Sequence, residues 1–158
     1  MKKFITAVLC LIAFSGLAQE EMETEVSVAP IEMEFNKQLY PLNEFKNMFM
    51  SVDHEATILA FVVPAPYDML KAGVIGQEDA SASKSIIESG EFKEAGKTIA
   101  YQIAADKNED GKDLIMETYL IKLDGESSIM VTGTYEPVAK IIFQHETKKA
   151  ALSAKVGK

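Results

Sequence analysis

Seven consecutive residues, Thr57 to Val63 (T-I-L-A-F-V-V), constrain this chain most, because every position after the threonine is apolar. A strand with one wet face alternates apolar and polar residues, whereas an unbroken apolar run suits a central strand covered above and below. The run therefore predicts helices on both sides of a sheet. Pro64 and Pro66 end it, and Pro66 is placed to open a helix in its first turn, where the missing N–H costs nothing. That helix should run through Tyr67, Leu70 and Val74 and weaken near Gly73 and Gly76.

The flanking segments supply the rest of a sheet. Phe45 to Val52 mixes aromatic and Met residues with small polar ones and reads as one strand, with Asp53-His54-Glu55 as a turn. Gln77 to Lys84 is small and polar and is left without an element. Ser85 to Phe92, Thr98 to Ala104 and Leu114 to Leu123 read as strands, the last with Ile115, Tyr119, Ile121 and Leu123 on one face. Asp124-Gly125 is a hairpin turn, since Gly supplies the positive φ such turns need, and Ser128 to Tyr135 follows as a further strand. Pro137 starts a closing helix in which Val138, Ile141, Ile142, Leu152 and Val156 recur at helical spacing. The order strand, strand, helix, four strands, helix suits an α+β fold, an antiparallel sheet with helices packed on both faces in an α/β/α sandwich.

The N-terminal end of the chain has a different character. Lys2 and Lys3, an apolar run from Phe4 to Phe14 and the small residues Ser15-Gly16-Leu17-Ala18 are the three parts of a cleavable signal peptide covering residues 1–18. The apolar run is about half the ~20 residues a membrane span needs, and Cys10 lies inside it rather than at a lipoprotein processing site. Residues 19–29 read as a flexible acidic leader, with too few large apolar groups to offset their ordering entropy. Residues 30–158 are then a single domain. Its only cysteine would be lost on processing, so stability must come from the core rather than from disulfides.

The 158 residues hold 24 acids against 16 lysines, a formal charge of -8, and contain no arginine. Scattered lysines without arginine argue against nucleic acid, whose affinity comes from clustered cations on phosphates. The expected location is exported, periplasmic or extracellular, with no transmembrane span after signal cleavage.

The run A-T-I-L-A-F-V-V-P-A-P-Y (Ala56 to Tyr67), the strand K-T-I-A-Y-Q-I (Lys97 to Ile103) and S-I-M-V-T-G-T-Y-E-P (Ser128 to Pro137), with a last helix ending A-A-L-S-A, resemble small exported bacterial proteins of the PsbP fold. That fold also occurs in the envelope protein DcrB and in a Ran-binding nuclear import factor. The resemblance spans nearly all of residues 45–154. It rests on core and turn patterns and carries no chemical group, so it implies a fold and a bias toward accessory or binding roles rather than a reaction.

Chemistry-bearing motifs are few. Asp106 to Glu117 (D-K-N-E-D-G-K-D-L-I-M-E) fits the calcium-loop pattern with Asp106, Asn108, Asp110 and Glu117 as ligands and Gly111 at the sharp turn. Such a loop needs a helix on each side, however, and strands are predicted there. An acidic hairpin turn accounts for the same residues. His54 and His145, the only imidazoles, read as a turn residue between acids and a residue at the border of the last helix's apolar stripe. A transition-metal site pairing them, with Glu146, would need the fold to bring them together. No nucleophile elbow, zinc-protease motif or phosphate loop is present. The sequence thus points to an exported non-catalytic accessory or binding protein of the cell envelope. Its partner would be an envelope protein or a small ligand, with no cofactor. An envelope hydrolase and a calcium-binding module using Asp106 to Glu117 are the competing classes.

Overall fold

The structure, a computed structural model, describes residues 29–53, 55–75, 85–108 and 110–157. The proposed signal peptide and nearly all of the leader lie outside these residues, as do Gln77 to Lys84 and His54. Nine strands and two α-helices are described: β1 (Ile31–Glu32), β2 (Leu42–Phe45), β3 (Met48–Met50), β4 (Thr57–Val63), α1 (Tyr67–Ile75), β5 (Ser85–Glu94), β6 (Lys97–Lys107), β7 (Asp113–Lys122), β8 (Ser128–Tyr135), α2 (Lys140–Ser153) and β9 (Lys155–Val156).

The apolar run is β4, and it lies inside a seven-stranded sheet of order β2-β3-β4-β8-β7-β6-β5. Every neighbouring pair is antiparallel. Ile58, Ala60, Phe61 and Val63 are buried, and each fully buried large apolar side chain of this kind contributes about 1.5–3 kcal/mol. Alternate residues of the same strands feed two separate clusters. Ile99, Tyr119, Ile121, Ile129 and Val131 pack with Ala150 and Ala151 of α2 and with Phe35 and Tyr40 of the segment before β2. Ala100 and Leu120 pack with Tyr67 and Val74 of α1. The period-2 pleat separates residue 99 from 100 and residue 119 from 120 in this way.

Four sequence expectations need correction. Phe45 to Val52 is not one strand: β2 and β3 form a hairpin that reverses at Lys46-Asn47. Asn47 has φ 64°, a left-handed conformation that asparagine tolerates better than most residues. Its amide also accepts from the Ile31 N–H at 2.9 Å and donates to the Ala29 carbonyl at 2.8 Å. The closing helix does not reach Val156. Pro137–Ala139 is a 3-10 turn and α2 stops at Ser153. Lys155–Val156 then pairs with Ile31–Glu32 in a two-stranded sheet that joins the two ends of the described chain.

The third correction concerns which face of α2 is buried. Val138, Ile141 and Ile142 are exposed, while Thr147, Ala150 and Ala151 are buried. The reason lies across the interface at Gly133 of β8, where an added Cβ would collide with the Thr147 side chain. Close approach of helix to strand demands small residues at the contact. Successive helical residues turn by about 100°, so placing Thr147 on the sheet swings Ile141 away from it, and Val138 stands exposed on the 3-10 turn before the helix. Leu123, expected on the inner face of β7, lies just past the strand and is exposed.

Candidate functional site

Strand β7 carries Ile115, Glu117, Tyr119 and Ile121 at alternating positions, so its pleat turns a carboxylate inward among apolar neighbours. Glu117 lies opposite Ile103 of β6 and Gly133 of β8 and is 0% exposed, the only buried charged side chain among the described residues. Burying an unpaired charge is costly, and tyrosines answer that cost. Tyr135 donates a hydrogen bond to Oε1, and Tyr119 donates to Oε2 at 3.1 Å.

The hydroxyl of Tyr40, buried beside Thr147, has no hydrogen-bond partner of normal geometry. Thr147 gives its own proton to the Phe143 carbonyl at 2.9 Å. The rings of Tyr40 and Tyr135 both pack on Phe143 of α2. Burial pushes the Glu117 carboxyl above the usual carboxylate range, against the opposing pull of the Tyr135 and Tyr119 hydrogen bonds. The same burial raises Tyr40, Tyr119 and Tyr135, so these phenols keep their protons at any ordinary pH. The arrangement is a closed polar knot beneath α2. It is closed to solvent in this conformation.

The residues of the calcium-loop pattern are not brought together. Asp106 pairs with Leu114 in register, three residues before Glu117, so the pleat puts Asp106 and Glu117 on opposite faces of the sheet. Asn108 builds the turn instead: its side-chain oxygen accepts from the N–H groups of Asp110 at 3.0 Å and Lys112 at 2.9 Å. Gly111 supplies φ 78°, and strands β6 and β7 flank the turn. Among the described residues no three His, Asp or Glu side chains group as a metal site. His145 is exposed on α2, and Glu146 accepts from the Asn36 N–H at 2.7 Å.

A second polar group ties α1 to the edge strand β5. Glu91 accepts from the Tyr67 hydroxyl at 2.8 Å and pairs with Lys71 at 2.5 Å. The Lys71 hydrogen bond, helped by Tyr67, holds the Glu91 carboxyl below its ordinary range. Neither this group nor the Glu117 knot was found by motif, because both are assembled across strands. The one signal available was parity: Glu117 shares its strand face with Ile115, Tyr119 and Ile121.

Solved structures of similar fold give this geometry a context. LpqN, involved in cell envelope biogenesis of Mycobacterium tuberculosis, matches with a TM-score of 0.57 at 7% identity, over 87% of this chain and 88% of its own. PA94 of Pseudomonas aeruginosa, a protein of unknown function, matches with a TM-score of 0.52 at 14% identity, over 90% of each chain. Cyanobacterial PsbP from Synechocystis aligns over 90% of this chain and 100% of its own, at a TM-score of 0.47 and 8% identity. No family model matches the sequence, and no curated protein is significantly similar to it. The chain shares its α+β fold with LpqN and PA94, and at these identities the likeness reaches the fold alone.

Proposed function

We propose that the protein is an exported, non-catalytic accessory or binding protein of the cell envelope, built as an α/β/α sandwich with α1 and α2 on opposite faces of the sheet. One contrast carries this reading. The described group best suited to acid–base chemistry, Glu117, is sealed and engaged by two tyrosines, while large apolar side chains stand in water on α2. An active site needs the reverse, a perturbed carboxyl opening on a cleft. The export pattern of residues 1–18 and the envelope role of LpqN support the location, and among the described residues no helix is long and apolar enough to cross a membrane.

Two measurements test this. Mass spectrometry of the protein from expressing cells should find a chain that begins at Gln19. Purified protein offered ester, peptide and phosphoester substrates should give turnover no faster than buffer. A rate above buffer that Glu117→Gln abolishes would establish the hydrolase instead.

A further inference from the structure

The start of the last helix leaves branched apolar side chains in water. Val138 and Ile141 are each 89% exposed and Ile142 is 54% exposed. Ile141 and Ile142 lie in the first turn of α2, and Val138 in the 3-10 turn just before it. Single apolar residues scattered over a surface are ordinary, but a contiguous group of them marks a contact face.

The surroundings select what fits there. Lys112, at the tip of the β6–β7 hairpin, reaches Glu55 of the β3–β4 turn at 3.4 Å and Glu136 at the entry to the helix at 3.8 Å. One lysine thus gathers three loops at the same end of the sheet, and the β3–β4 turn adds Val52, also exposed. On these segments Asp53, Glu55, Asp110, Asp113 and Glu136 outnumber Lys107, Lys112 and Lys140. Lys107 is paired with Asp113, and Lys112 with Glu55 and Glu136, and the segments together stay net negative. An apolar centre inside an acidic rim complements an apolar segment flanked by lysine or arginine. The same negative charge, -8 over the chain, opposes a second copy of this protein and an anionic bilayer.

We infer that the Val138–Ile142 face is the docking surface for a basic, amphipathic segment of a partner protein. The inference rests on the binding-protein reading and adds to it the place and the chemistry of the contact. The probe is an amphipathic peptide of leucine and lysine, titrated into the ¹⁵N-labelled protein. Shifts should concentrate at Val52, Val138, Ile141 and Ile142, and affinity should fall with added salt. Val138→Ser with Ile141→Ser should weaken binding about tenfold or more, the scale of one buried apolar side chain. Met69→Ser, on the exposed surface of α1, should leave it unchanged.

Several outcomes overturn the inference. The double variant binds as the wild type does, or Met69→Ser weakens binding equally. A leucine and glutamate peptide binds as well as the basic one. Sedimentation shows a dimer that the double variant dissolves, or phosphatidylglycerol vesicles bind the wild type and not the double variant. If a partner captured from envelope extract is held equally by the wild type and the double variant, this surface is wrong while the binding-protein reading stands.

Discussion

A carboxyl closed away from water holds its proton more tightly than the same group in an unfolded chain, and Glu117 is such a group. Its folded-state pKa lies above its unfolded value, so the native state binds more protons between the two. Stability from this group is therefore greatest at or below the ordinary value of 4.5. It falls as pH rises from there through the raised folded-state value, by about 1.4 kcal/mol for each unit of separation. Glu117→Gln keeps the shape and removes the titration. In urea unfolding across this window the stability difference should move steadily in the variant's favour as pH rises. Parallel wild-type and variant profiles would contradict the placement of a buried ionisable carboxyl. The position of Glu117 on the core side of β7 was legible from alternation, because residues 115, 117, 119 and 121 share one parity. Its partners were not, since Tyr135 lies on the neighbouring strand and only the β7–β8 register brings it there.

At the scale of elements, strands read more clearly than helices, and the reason is what each must bury. β6 and β8 show their faces through β-branched and aromatic residues at every second position, which fit a pleated surface. Helix α2 instead packs through Thr147, Ala150 and Ala151 against Gly133, so its buried face carries little hydrophobic signal while its large apolar residues point outward. Gly133→Ala should test this contact. The added methyl has no room, and overpacking of this kind costs about 1–3 kcal/mol. Thr147→Ala in the same chain should recover most of the loss in chemical denaturation, a coupling that independent sites would not show. Equal stability of Gly133→Ala and wild type would mean that helix and strand are not in close contact. The hairpin at Asn47 was hidden for a different reason: Lys46-Asn47 is a weak turn signal, and its conformation is held by bonds to Ile31 and Ala29 sixteen and eighteen residues away.

Across the whole molecule, the sheet is closed by the pairing of β4 with β8, in which Thr57 meets Thr134 and Val63 meets Ser128. Contacts so distant in sequence require loop closure before they contribute, so folding should take milliseconds to seconds rather than microseconds. Stopped-flow refolding after dilution from urea measures it, and a single submillisecond phase would be incompatible with this topology. The local sequence determined by itself strands β4 to β8, the prolines that end β4 and open α1, and that β4 belongs in the interior, because each of these depends on residue type and spacing within one short stretch. Only the tertiary structure decided that Asp106 and Glu117 fall on opposite faces, that Tyr119 and Tyr135 close on Glu117, that the two ends of the described chain pair as β1 and β9, and that α2 turns Ile141 and Ile142 to water. Those outcomes depend on register and on steric fit between segments far apart in the chain, which no local pattern encodes.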